Sequence, residues 1–394
     1  RGKAIKAMVV PFHLRSDAPP YARPILYGHS ATSTLKDDRN SNTKVTRLLK
    51  KTIDNHTWRQ QSCINLIPSE MTLSPMVRLL SIMDPAFRYA EHKHAKAFYD
   101  ADIFYYQGTD FIAEVEYLLE AELRTYLGCR EVETRMISGQ MANMAVYSAM
   151  MDYLNRTDRK REARRIRRVL CHHIAKGGHL SSQPMGALRD FVAVDPVTER
   201  PAVINFPVLP DNPYKIDVPA TLNAIEMSRP ELIILGKSMV IYREPIADIA
   251  RFLEDQGLTN TVLMVDMAHV LGLIGPHFQE PFKEGAHLVT GSTHKTYFGT
   301  QRGIVGCPFT EQDTRYELWE TLQRRTFPGS VSNHHPGTLL GLLMAAYEMN
   351  HFKNDYQPRV LANAKAFARA LSDCGLEPAG EPHMGYTETH QVIL

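Results

Sequence analysis

Two apolar runs end in residues able to do chemistry. Val262-Leu263-Met264-Val265 reads as a buried strand that closes on Asp266, with Met267-Ala268-His269 behind it. Leu288-Val289-Thr290 reads as a second strand and runs into Gly291-Ser292-Thr293-His294-Lys295. A carboxylate and an amine are thus presented to one crest of a sheet. An acid at the end of an apolar strand is costly to bury unless a cation or donor faces it. A structural Asp266–Lys295 salt bridge is one reading. The other is a ring cofactor whose aldehyde takes the lysine and whose ring nitrogen takes the acid. Pyridoxal phosphate fits that description, since it needs a Schiff-base lysine and an anion to hold the ring as an electron sink.

Such a cofactor also needs a phosphate cup and a flat group on its ring. Ser138-Gly139-Gln140 directly precedes the apolar helical stretch Ala142–Leu154, where N–H groups at a helix start can hold phosphate. A plain helix cap is the alternative there. Gly177-Gly178-His179-Leu180 follows the β-rich run Val169–Ile174, a suitable place for a stacking imidazole. A merely packed histidine is the alternative.

The elements that must position these residues alternate. Ala113–Leu127 has the spacing of an amphipathic helix, and Pro245–Asp255 is another helical stretch. Phe191–Val194 and Leu232–Leu235 add β-rich runs, and Gln391-Val392-Ile393-Leu394 reads as a strand. Strands alternating with helices predict an α/β fold with a mostly parallel, doubly wound sheet, and ligands at the strands' carboxyl ends.

Composition narrows the class. The chain has 394 residues, 44% hydrophobic, with 45 Lys+Arg against 43 Asp+Glu. A net charge of +2 gives no bulk attraction to nucleic acid or anionic lipid. No apolar run approaches the ~18–20 residues a bilayer requires. The basic run Arg156–Arg168 has no interleaved aromatics, so it reads as a solvated face rather than a nucleic-acid patch. Cys63, Cys129, Cys171, Cys307 and Cys374 are scattered and odd in number, which suits a reducing compartment, expected to be the cytoplasm. The basic bias of Arg1, Lys3, Lys6, Arg15, Arg23 and Lys36 leaves organelle targeting open, with a disordered lead-in as the expectation. The pairs His92/His94, His172/His173 and His334/His335 lack completing ligands, so no metal is expected.

Eight segments in order carry a resemblance: Leu66-Ile67-Pro68-Ser69-Glu70, Tyr89-Ala90-Glu91, Tyr105-Tyr106-Gln107-Gly108, Ser138-Gly139 with Ala142-Asn143, Gly178-His179-Leu180, Val265-Asp266-Met267-Ala268-His269-Val270, Thr293-His294-Lys295-Thr296 and Phe327-Pro328-Gly329. Together they resemble the serine hydroxymethyltransferase family, fold-type I pyridoxal-phosphate enzymes. The resemblance implies that Lys295 carries the cofactor, Asp266 partners its ring nitrogen and His179 stacks on the ring. It places His269 and Ser238 by the phenolic oxygen, Ser138 and Gly139 at the phosphate, and His294 beside the lysine. Glu91 resembles the carboxylate handling the substrate hydroxyl proton, with Tyr105 beside it, and Ser69 is expected with them among the substrate-binding residues. Tyr89 and the stretch after Phe327-Pro328-Gly329 resemble segments contributed across a dimer interface, with Ser332 or Asn333 replacing a glycine contact to phosphate. A homodimer or dimer of dimers with shared sites is implied. So is an order of an extension over 1–44, a cofactor-binding large domain over 45–345, and the start of a truncated small domain over 346–394.

The implied reaction makes and breaks the Cα–Cβ bond of β-hydroxy amino acids: serine, threonine and glycine as substrates, retro-aldol through a glycine quinonoid. The resemblance also brings tetrahydrofolate. Against it counts the long segment His92–Phe104, and Gln140-Met141 replaces a Ser-Pro. Both departures point toward the folate-independent threonine transaldolases. The family's carboxylate-clamping arginine falls beyond Leu394, and Arg302 has no such assignment. The chain is therefore expected to bind cofactor but turn over poorly, or to be a catalytically impaired homodimer.

Overall fold

The computed structural model describes residues 41–95, 101–104, 106–157 and 163–394. Tyr105, most of the 1–44 extension and residues 158–162 of the basic run lie outside the described residues. Two units are distinguished, Arg1–Ile67 and Pro68–Leu394. In the first, helix α1 (Ser41–Thr57) leads into a π-turn, Trp58–Ser62, and exposes Val45, Leu48, Leu49 and Ile53 at helical spacing.

The second unit runs α2 (Pro75–Ser81), β1 (His92–Ala95), β2 (Ala101–Phe104), α3 (Asp110–Leu127), β3 (Glu131–Glu133), α4 (Gly139–Leu154), β4 (Val169–Cys171), β5 (Val203–Asn205), β6 (Val208–Leu209), β7 (Asn212–Ile216), α5 (Val218–Ser228), β8 (Leu232–Gly236), α6 (Ile246–Asp255), β9 (Val262–Asp266), β10 (Leu288–Ser292), β11 (Gly303–Cys307), α7 (Tyr316–Thr326) and α8 (Pro336–Asp373). Helix α8 passes through position 345 without a break. Among the described residues no helix is long and apolar enough to cross a membrane.

Seven strands form one sheet in the order β3-β11-β10-β9-β8-β4-β5. From β10 to β5 every pairing is parallel, while β11 is antiparallel to both its neighbours. The chain lays β5 on one side of β4 and then β8, β9 and β10 on the other. The winding reverses between β4 and β8, and a crevice opens there at the strands' carboxyl ends.

Side chains alternate between two cores. Leu232, Ile234, Val262, Met264 and Leu288 join α4 and α7 on one face; Ile233, Leu235, Leu263, Val265 and Val289 join α3, α6 and α8 on the other. This period of two also aims the polar residues that follow. Asp266 and Thr290 continue the α4 side, whereas His172 and Lys237 continue the opposite one.

Two expectations need correction. Phe191–Val194 is no strand; only isolated bridges at Val192 and Val194 remain, and the edge strand forms at Val203–Asn205. Gln391–Leu394 carries no strand either. There the side chain substitutes for a ladder: Gln391 Oε1 accepts from the Val240 N–H at 2.6 Å, and Nε2 donates to the Ser238 carbonyl at 2.9 Å.

Candidate active site

Four loops leave the strand ends at the crevice, and each carries a residue singled out above. His179 follows β4, Ser238 follows β8, Asp266 ends β9, and Lys295 follows β10. Asp266 is 5% exposed. Its Oδ2 lies 2.5 Å from His179 Nδ1 and accepts from Asn143 Nδ2 at 2.8 Å, while Oδ1 accepts from the Ala268 N–H at 3.0 Å. Burial alone would raise its pKa. The charge of His179 and the hydrogen bonds from His179, Asn143 and Ala268 outweigh that and hold the carboxyl well below its usual range.

Asn143 stands in the apolar helix α4 and faces the sheet. Thr290 Oγ1 donates to its Oδ1 at 2.6 Å, and Ser181 Oγ bonds its amide nitrogen. Thr290, Asn143 and Asp266 thus form a relay that orients the carboxylate from behind. Gly236 makes room for it, since a Cβ there would sit 2.8 Å from Asp266 Cβ.

Lys295 sits in a loop closed by Thr293, whose Oγ1 donates toward the Thr300 carbonyl at 2.6 Å and accepts from the Arg302 N–H at 3.0 Å. Thr296 Oγ1 stitches that loop to the next by donating to the His269 carbonyl at 3.1 Å. The structure does not form the Asp266–Lys295 salt bridge; Asp266 pairs with His179, and no ion pair among the described residues involves Lys295. Burial lowers the lysine's pKa, opposed only in part by the charge of Asp266. An amine shifted that way offers more of its neutral, nucleophilic form.

Imidazoles surround the pair. His269 meets His179 edge to face, ring centroids 5.4 Å apart. Burial first, then Lys295, pushes the His269 pKa down to about 3. His390 also acts on His269, and its Nε2 lies 3.0 Å from the Pro68 carbonyl, which brings half-buried Ser69 toward this side. The Nδ1 atoms of His269, His294 and His390 are buried without a hydrogen-bond partner.

Ser138 caps α4, its Oγ accepting from the Met141 N–H at 3.2 Å, so the cap reading holds. The same turn is pressed against the sheet. A side chain at Gly139 would collide with Ser292 Oγ, and one at Gly303 with the Ser138 carbonyl. The packing sets the start of α4, where the Gly139 and Gln140 N–H groups precede the first bonded donors Met141 and Ala142, beside Ser292 at the end of β10.

Other expected residues fall elsewhere. Glu91, half-buried, accepts from the Tyr106 hydroxyl at 3.2 Å, and Tyr106 lies 5.6 Å from Tyr89. Tyr106 is thus the tyrosine against Glu91 among the described residues. No hydrogen bond or ion pair among them joins this trio to Asp266 or Lys295. Ser332 is exposed, Asn333 is half-buried with an unpartnered Oδ1, and their loop is anchored by Arg302. Arg302 is fully buried, with Nη1 donating to the His334 and His335 carbonyls at 2.6 and 3.2 Å and Nη2 to the Thr134 carbonyl at 3.0 Å. It is a structural hub. Burial lowers its pKa to about 10.

The sequence model of serine hydroxymethyltransferase matches residues 42–392. The chain belongs to the serine hydroxymethyltransferase family.

Its relatives include serine hydroxymethyltransferases from Pyrobaculum aerophilum, 35% identical over 89% of this chain and 73% of the relative, and from Staphylothermus marinus, 36% identical over 86% and 69%. A crystal structure of L-threonine transaldolase from Pseudomonas fluorescens in its internal aldimine state shares the fold, with a TM-score of 0.73 at 24% identity over 89% of this chain and 72% of that one. The fold-type I architecture expected from the sequence is the one found.

Serine hydroxymethyltransferases are pyridoxal-phosphate-dependent transferases, and the crevice suits that cofactor. It offers an amine outside any described ion pair, a buried carboxylate held ionised, orphaned imidazole nitrogens and an open helix start. Asn143, Ser181, Thr290 and His390 are the members that the motif reading left without a role. An amide set among alanines and methionines of a largely apolar helix was the available signal for Asn143.

Proposed function

We propose that this chain makes and breaks the Cα–Cβ bond of β-hydroxy amino acids, interconverting serine and glycine. The observation that carries this reading is the Lys295 amine, free of described ion pairs beside an Asp266 held ionised by His179, Asn143 and a backbone N–H. Pyridoxal phosphate, when bound, supplies the electron sink for the pair released as the bond breaks. Lys295 would hold its aldehyde carbon and Asp266 its ring nitrogen. His179 would cover the ring, with His269, His294 and Ser238 around it. Ser138 and Gly139, at the α4 start, would take the phosphate, joined by Ser332 or Asn333.

Asp266 needs its low pKa to keep a proton on that nitrogen rather than on itself. Glu91, to which the Tyr106 hydroxyl donates, would take the β-hydroxyl proton of a substrate and return it. No hydrogen bond or ion pair among the described residues links Tyr89 or Glu91 to Asp266, and the stretch before them exposes Met76, Leu79, Ile82 and Phe87, the last two at 69% and 75%. An apolar surface of that kind favours a second copy, so we place Tyr89 and Glu91 in the partner's site of a homodimer. The five cysteines, all free, favour a reducing compartment, which we take to be the cytoplasm.

A second reading, folate-independent aldol exchange on threonine, is favoured by the antiparallel pairing of His92–Ala95 with Ala101–Phe104 directly after Glu91. Both paired strands belong to the segment whose length counts against folate. Serine cleavage measured with and without tetrahydrofolate, beside threonine cleavage read as acetaldehyde, separates the two. Folate-stimulated serine cleavage supports the first reading. Folate-indifferent acetaldehyde release supports the second, and neither activity in the holoenzyme defeats both.

A further inference from the structure

A second set of buried charges lies on the face of the sheet opposite Asp266 and takes no part in the chemistry above. Lys237, 4% exposed, follows the last residue of β8. Its Nζ pairs with Glu244 Oε1 at 2.6 Å and donates to the Tyr214 carbonyl at 2.7 Å. Glu244 Oε2 faces His172 Nε2 at 3.3 Å, and His172, 1% exposed, is the first residue past β4. Apolar residues of equal volume commonly stabilise such a place as well or better, so stability alone does not account for the cluster.

Its location does. Lys237 and Gly178 form an isolated antiparallel bridge between the loops leaving β8 and β4, the two strands that flank the reversal in winding. Through it the His179 N–H donates to the Gly236 carbonyl at 3.1 Å, and the Ser238 N–H donates to the Gly177 carbonyl at 2.8 Å. The main chain around Lys237 therefore sets where His179 and Ser238 stand. Its side chain is tethered below to Glu244, whose own backbone is clasped by Gln279, N–H to Oε1 at 3.2 Å and carbonyl to Nε2 at 2.6 Å. His172 ties the same carboxylate to the end of β4.

We propose that Lys237, Glu244 and His172 are positioning residues whose buried ion cluster locks the two loops and so fixes His179 and Ser238 against the cofactor ring. The proposal rests on the pyridoxal-phosphate reading of that crevice. Burial would raise the Glu244 pKa, but above all the charge of Lys237 holds it at about 2; burial lowers the His172 pKa, so at working pH His172 is the neutral partner of a charged Lys237–Glu244 tether.

Lys237→Met alone would strand a buried carboxylate, so the test uses the double variant Lys237→Met/Glu244→Gln, which removes both charges at similar volume. Hydrogen–deuterium exchange is measured on the cofactor-free chain, and cofactor titration on the same protein. The cluster predicts exchange about tenfold faster in the peptides spanning 177–183 and 236–242 only, and a cofactor dissociation constant about tenfold higher. Wild-type exchange with a wild-type dissociation constant overturns the proposal, as does uniform acceleration along the chain. Should the double variant not fold, His172→Gln, which leaves the Lys237–Glu244 pair intact, is read the same way. It must speed exchange in 177–183, and no change there overturns the proposal. A wild-type chain that binds no cofactor defeats the functional reading instead, and the exchange experiment still decides the cluster.

Discussion

Replacing Asp266 by asparagine keeps the size of the side chain and removes its charge. In the native protein one carboxylate oxygen receives His179 Nδ1 and Asn143 Nδ2 at 2.5 and 2.8 Å, and the other receives the Ala268 N–H at 3.0 Å. An amide has a single acceptor oxygen, so one of these sets of donors must face an NH2 group. Hydrogen bonds to a charged group contribute about 1.5–3 kcal/mol, and an orphaned buried donor costs about 1–3 kcal/mol. Asp266→Asn should therefore destabilise the cofactor-free protein by about 3–5 kcal/mol, the range for breaking a buried charge pair. Urea unfolding followed by circular dichroism reads this at pH 7 and at descending pH. The native pKa of Asp266 lies below the unfolded value near about 3.9, so its contribution is complete above that pH and fades as pH falls toward the native value. The wild-type advantage must shrink only below about pH 4. A difference under about 1 kcal/mol at pH 7, or one unchanged in acid, would refute the reasoning.

Three further outcomes are expected. Glu91→Gln should change stability by less than about 0.5 kcal/mol yet slow aldehyde release from serine or threonine about 10²–10⁴-fold, because among the described residues Glu91 meets only Tyr106. Arg302→Met should cost about 3 kcal/mol or more in thermal melting, since the buried Thr134 and His334 carbonyls lose the guanidinium that donates to them. Burial holds His269 and His287 near about 3 and His390 near about 4, so the unfolded chain takes up protons that the native one refuses. Stability should then fall as pH drops from about 6.5 toward 4. His287→Gln, outside the crevice, should flatten that slope in urea midpoints; a wild-type slope of zero contradicts it.

The core of the site was legible because strong strands announce their own ends. Val262–Val265 and Leu288–Thr290 are apolar enough to be buried on both faces, so the acid and the amine beyond them had to share a crest. The partners of those residues left weaker marks. Arg302 binds carbonyls of Thr134, His334 and His335, and backbone acceptors have no residue type to recognise. Strand β11 was missed because its two glycines weaken a β pattern, yet at Gly303 the close approach of the Ser138 carbonyl leaves no room for a side chain. Phe191–Val194 misled for the opposite reason: β-branched residues there serve turns with isolated bridges, not a ladder. The side of the sheet that Asp266 faces follows from alternation, but that it would meet Asn143 depended on where α4 packs.

The most direct test is an absorbance spectrum of the purified chain with excess pyridoxal phosphate. A Schiff-base band near the visible edge, abolished by borohydride and missing from Lys295→Ala, is the predicted result. A colourless wild type, or a Lys295→Ala variant that keeps the borohydride-sensitive band, would contradict the account.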